Sequence, residues 1–128
     1  MTARFDHTII AARDAAASAE FYRLLLEADP APSWGPFVNL SLQGGVLLQF
    51  AALPEAAFPE IQNQHYGFLV ADDHLDRALR WIRGSGRDHW ADPQRTRPGE
   101  TGTEHGGRGV YLLDPVGHYL ELTTAHYV

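Results

Sequence analysis

The chain has 128 residues and a net charge of -6 at pH 7. That is the size of one domain, and it lacks the basic footprint of a nucleic-acid binder. Hydrophobic residues at 45% and charged ones at 20% exclude a disordered chain. The absence of cysteine excludes a disulfide scaffold, a thiol nucleophile and a thiolate-bound metal. Seven histidines lean toward metal or acid–base chemistry.

Charge at Arg4 and Asp6 precedes any apolar stretch, so the N-terminus does not read as a secretory signal. The longest apolar run, 46–53, is interrupted by Gln49 and falls far short of a membrane span. The expected setting is cytoplasmic, without membrane or nucleic-acid partners. The first strand is predicted over 4–11. Asp14 then caps a helix running to Leu26, whose stripe is Ala17, Phe21, Leu24 and Leu25, and Asp29-Pro30-Ala31-Pro32 is expected to end it. Strands follow at 37–42, 46–50 and 66–70. A second helix starts after Asp72-Asp73, with Leu75, Ala78, Leu79 and Ile82 on one face, and Gly84-Ser85-Gly86 closes it. A short strand at 88–90, a Gly- and Arg-rich loop over 95–109, and strands at 109–113 and 119–123 complete the chain. Asp114-Pro115-Val116-Gly117 is expected to be a structural turn.

This order is one βαβββ unit written twice. Asp6-His7-Thr8-Ile9-Ile10 answers Gln64-His65-Tyr66-Gly67-Phe68, and in each half an aspartate starts the helix seven residues after the histidine. Val46-Leu47-Leu48-Gln49-Phe50 answers His118-Tyr119-Leu120-Glu121-Leu122. The expected architecture is α+β. It is a single domain over 1–128 made of two modules, about 1–60 and 61–128, whose sheets curl into a cup around a pseudo-twofold axis. The duplication pairs His7 with His65 and Gln49 with Glu121. Two imidazoles and a carboxylate form the triad that binds Fe(II) and leaves positions open, and the same set suits Mn or Zn. Gln49 is then either a weak fourth ligand or a hydrogen-bonding group for substrate.

The stretch 109–122, together with Asp6-His7-Thr8-Ile9-Ile10 and Ser18-Ala19-Glu20-Phe21-Tyr22, resembles the vicinal oxygen chelate superfamily. That superfamily holds glyoxalases, bleomycin-resistance proteins, fosfomycin-resistance enzymes and extradiol dioxygenases. The resemblance covers essentially the whole chain. It implies the paired βαβββ fold and one divalent metal ion held by His7, His65 and Glu121. Gln49 stands where bacterial glyoxalases carry a glutamate that serves as base. Val110-Tyr111-Leu112-Leu113-Asp114-Pro115 and Gly117 fit the pattern of the ring-cleaving dioxygenases, with His105 close before them. The expected catalytic residues are Tyr111 and His105, and the expected substrate pocket is Gln49, Trp34, Phe37 and Trp90. The expected activity is dioxygenase-like chemistry on the neighbouring oxygens of a small, ring-bearing substrate. Lyase, isomerase or epoxide-opening chemistry is the alternative within the fold, and metal-free antibiotic sequestration is a third reading. A homodimer is expected, as for two-module members of the superfamily.

Overall fold

A computed structural model describes residues 1–127, the side chain of His105 apart. The chain divides into two compact units, Met1–Gln62 and Asn63–Val128. Among the described residues, no helix is long and apolar enough to cross a membrane.

The first unit holds β1 (His7–Ala12), α1 (Ala15–Leu26), β2 (Asp29–Ala31), β3 (Phe37–Ser41) and β4 (Leu47–Ala52). Its sheet runs in the order β1-β4-β3-β2, with β1 and β4 parallel and the other pairs antiparallel. Asp14 caps α1: its Oδ1 accepts the Ala17 N–H at 3.0 Å, satisfying one of the donors a helix start leaves open. The helix ends at Leu26, as its sequence predicts, but by a cap and not by the prolines. Glu27 adopts the left-handed conformation, φ 53°, and its N–H bonds back to the Arg23 carbonyl. Residues 29–31 therefore form an edge strand rather than a helix terminator, and Pro30 is tolerated there because an edge strand leaves N–H groups unused. The α1 face buries Phe21, Tyr22, Leu25 and Leu26 against a sheet face of Ile10, Ala12, Leu40, Leu48 and Phe50. Tyr22 and Phe50, both fully buried, have ring centroids 4.8 Å apart.

The second unit holds β5 (His65–Leu69), α2 (Asp72–Gly84), β6 (Gly109–Leu113) and β7 (Tyr119–Thr123). Its sheet runs β5-β7-β6, with β5 and β7 parallel and β6 and β7 antiparallel. Alternation puts Val110, Leu112, Leu120 and Leu122 on a fully buried face. Helix α2 buries Leu75, Ala78, Leu79 and Ile82, the stripe that its spacing predicts. Arg108, just before β6, reaches Asp76 at 2.6 Å and Asp72 at 3.4 Å, tying the helix to the sheet. The strand predicted at 88–90 is reduced to one bridging residue, Trp90, which pairs with Tyr111 and Pro98. At the β6–β7 turn the Asp114 carboxylate accepts the N–H groups of Val116 and His118, and Gly117 supplies a φ of 96°.

Candidate functional site

The register places the chemistry. In the first unit His7 pairs with Leu47, and Gln49 lies between Ile9 and Asn39. In the second, His65 pairs with Tyr119, and Glu121 lies between Gly67 and Tyr111. The two halves thus keep one register, histidine on the first strand and an oxygen-bearing side chain two residues further along the last. Directly opposed residues share a sheet face, as do residues two apart on a strand. His65, Gly67, Glu121 and Tyr111 therefore stand on the face opposite the buried leucines.

Two donors converge there. His65 Nε2 and Glu121 Oε1 are 3.3 Å apart, the imidazole half exposed and the carboxylate buried. Ligands held at ~2.1 Å by one ion lie roughly 3.0–3.4 Å apart at octahedral or tetrahedral angles, so this pair fits a single divalent cation. Gly67 lies alongside the carboxylate: a β-carbon there would stand 3.8 Å from Oε1, an ordinary van der Waals contact. The other carboxylate oxygen, Oε2, accepts the Tyr127 hydroxyl, and the Tyr111 hydroxyl lies 3.4 Å from that of Tyr127. Burial first, then the contacts with Tyr127 and Glu121, pushes the Tyr111 phenol far above its ordinary value. Burial, then the bond to Glu121, raises Tyr127 as well. Both are neutral donors at physiological pH, so Tyr111 offers a proton and not a base. Among the described residues, neither unit by itself gathers three or more His, Asp or Glu side chains able to hold a metal.

The remaining expected residues lie as follows. His7, half exposed, brings Nδ1 within 2.7 Å of Asp6 Oδ2. An imidazole donating Nδ1–H to a carboxylate presents Nε2 as a lone pair, the orientation that metal-binding histidines use. Gln49 is buried beside Asn39, whose Nδ2 donates to the Pro32 carbonyl while its buried Oδ1 meets no donor among the described residues. Trp34 is exposed in the turn before β3, and Phe37 is the half-buried first residue of β3. His105 belongs by its backbone to the 3-10 turn Glu104–Gly106, and its side chain lies outside the described residues.

Trp90 and Tyr111 come together with His65, Pro93, Arg95 and Tyr119 around a cavity of about 230 Å³. A second cavity, about 310 Å³, is lined by His65, Gly67, Glu121, Thr123, His126 and Tyr127. His65 borders both. The wall formed by Pro93 and Arg95 is built by one buried carboxylate. Asp92 accepts the Thr96 hydroxyl at 2.5 Å and the N–H groups of Thr96 and Arg97. The Thr96 hydroxyl above all, with those amides, holds Asp92 below the usual carboxylate range. This closes a loop across which the Ala91 N–H meets the Arg97 carbonyl, and Arg95 at its crest is left-handed, φ 60°. Reading the sequence missed Arg95, Gly67 and Tyr127. The Asp92-x-x-x-Thr96 spacing carries a turn signal, and a glycine in mid-strand, as at Gly67, is itself a signal worth reading. Tyr127 carries no local signal, since its partner is set by the path of the C-terminal residues.

The model of the Glyoxalase/Bleomycin resistance protein/Dioxygenase superfamily matches residues 4–122. The chain belongs to that superfamily. Its two helices and its mixed sheets of four and three strands are the superfamily's paired βαβββ fold. Two solved structures are similar across nearly the whole chain. Oxidase ChaP-H2 is 42% identical, over 99% of this chain and 97% of that one, with a TM-score of 0.91. Oxidase ChaP-H1 is 44% identical, over 98% of each, with a TM-score of 0.89. The fosfomycin resistance protein FosX from Mesorhizobium loti shares the fold at 18% identity, over 98% of this chain and 94% of that one, with a TM-score of 0.68. No curated protein matches the chain.

Proposed function

We propose that this superfamily member is a mononuclear divalent-metal enzyme that engages two neighbouring oxygens of a small, ring-bearing substrate, with dioxygenase-like chemistry. The observation that carries the reading is the convergence of His65 Nε2 and Glu121 Oε1 at 3.3 Å beside an aromatic-walled cavity. Similarity above 40% to two proteins named as oxidases supports the oxidative branch. His65 and Glu121 are the proposed ligands in the second unit. His7 is the third on the superfamily resemblance, its Nε2 readied by Asp6. Fe(II), Mn and Zn all suit this donor set. When bound, the ion supplies a Lewis acid that lowers the pKa of the substrate oxygens it meets.

The chain's own residues do the rest. Trp90, Tyr111 and Tyr119 offer ring faces to the substrate. The neutral Tyr111 phenol donates a hydrogen bond at the cavity wall, and Tyr127 fixes the carboxylate through its second oxygen. Gln49 is an amide without useful basicity, so it cannot abstract the proton that a glyoxalase-type isomerisation requires. This places lyase chemistry second to dioxygenase chemistry. We further propose a homodimer. β1 and β5 are edge strands of their sheets, and unpaired edge N–H and C=O groups favour pairing with another chain.

The test is metal content of the purified protein, followed by oxygen uptake over a panel of catechols. One equivalent of metal per chain and oxygen consumption with at least one catechol are expected. A metal-free protein that still binds aromatic antibiotics would instead establish sequestration. Metal without oxygen uptake would return the reading to lyase chemistry.

A further inference from the structure

We propose that the cavity beside His65 selects an anionic aromatic ligand, and that Arg95 is the residue that reads the negative charge. The proposal rests on the reading that this cavity receives the substrate's ring. Four arginines belong to the segment between α2 and β6: Arg87 lies 5.0 Å over the Trp81 ring centroid, and two others are neutralised by carboxylates. Arg97 meets Glu104 at 2.6 Å, and Arg108 meets Asp76 at 2.6 Å and Asp72 at 3.4 Å. Arg95 has no carboxylate partner among the described residues. Its guanidinium sits 5.7 Å from the Trp90 ring centroid and 5.5 Å from that of Tyr119, and both rings line the cavity. Among the described residues, no aspartate or glutamate lines that cavity. The guanidinium keeps its hydrogen-bond donors for a ligand while the two aromatic faces steady its position.

The backbone adds an independent argument. A non-glycine residue at positive φ is uncommon and strained, and such strain persists only where surrounding contacts impose it. Here the Asp92 carboxylate imposes it through Thr96 and Arg97. Glycine would hold the same conformation without cost, yet the position carries a long cationic side chain that lies against the cavity's rings. The protein's net charge of -6 repels anions at long range. An unpaired cation at the cavity wall is what lets an anion remain there once it arrives. The ligand class is a planar ring bearing a carboxylate or phenolate, its ring between Trp90, Tyr111 and Tyr119 and its charge toward Arg95.

Calorimetric titration with 2-naphthoate and with 2-naphthalenemethanol tests this, because the two probes differ in charge and neither carries vicinal oxygens. The full-length protein is used as purified and again after dialysis against a chelator. Parent protein should bind naphthoate at least roughly tenfold more tightly than the alcohol, as a charge-assisted hydrogen bond provides. The preference should survive the chelator and shrink in high salt. Arg95→Met and Arg95→Gly should both bind the two probes equally. Arg95→Gly relieves the backbone strain and stays folded, so its loss of preference is not a folding defect, while Arg95→Lys should restore part of it. Equal binding of both probes by the parent, or a preference that persists in Arg95→Gly, overturns the role of Arg95 and leaves the cavity reading standing. A preference abolished by the chelator assigns the anion to a metal and overturns the role equally. Binding of neither probe by the parent overturns the cavity reading and this inference together.

Discussion

At the scale of single residues, the carboxylate of Glu121 is held from both sides, by His65 at one oxygen and Tyr127 at the other. Under the proposed function, Tyr127 directs Oε1 to the cation by occupying Oε2. Loss of such an outer partner characteristically costs 10–100-fold in metal affinity. Tyr127→Phe should therefore weaken Mn(II) binding by roughly that factor in calorimetry, with an unchanged circular dichroism spectrum; unchanged affinity would detach Tyr127 from the site. Tyr111 supports a pH prediction. Burial favours its neutral form in the folded protein, so its folded pKa is raised. Its contribution is then whole below the unfolded value of about 10 and drains as pH rises above it toward the folded value. Absorbance at 295 nm should show Tyr111 ionising only with alkaline unfolding. Tyr111→Phe should remove that late component and flatten the fall in stability above about pH 10.

At the scale of elements, what the sequence discloses depends on how local the cause is. Helix α2 follows from the spacing of Leu75, Ala78, Leu79 and Ile82, and α1 starts at Asp14 because that cap is a three-residue contact. The repeat of His7 and Gln49 as His65 and Glu121 is legible because a duplicated register leaves a duplicated pattern. The end of α1 at Leu26 is legible, but the cap that makes it is not. Glu27 takes the left-handed conformation that glycine usually takes, and Asp29-Pro30 reads as a breaker although it is an edge strand. The position of Arg95 is not legible either, since it depends on how Asp92 folds the loop around itself. The β6–β7 turn offers a direct check on local coding. Gly117 sits at φ 96°, and an added β-carbon would meet the Asn63 side chain at 3.4 Å. Gly117→Ala should lower stability by about 1–2 kcal/mol in urea unfolding, the cost of placing an L side chain in left-handed backbone. A loss near zero would mean the turn adapts.

At the scale of the whole molecule, the proposed dimer makes a simple demand. Light scattering at micromolar concentration should give about twice 14.2 kDa, and a monomer there would remove the dimer proposal. The parallel pairing of β5 with β7 has a consequence in time as well as in space. The His65–Glu121 contact joins residues 56 apart in the chain, whereas β6 and β7 are joined by the short turn at 114–117. Closing a long loop sacrifices more chain freedom before any contact rewards it, so non-local pairings tend to form late. The β6–β7 hairpin, already carrying Tyr111 and Glu121 face to face, is then the early product of refolding, and β5 docks onto it afterwards. In a stopped-flow refolding experiment, tyrosine signals from the hairpin should settle before the capacity to bind metal appears. The two-donor arrangement thus acts as a clock mark: under the proposed function, His65 and Glu121 come together as a cation site only when β5 has met β7.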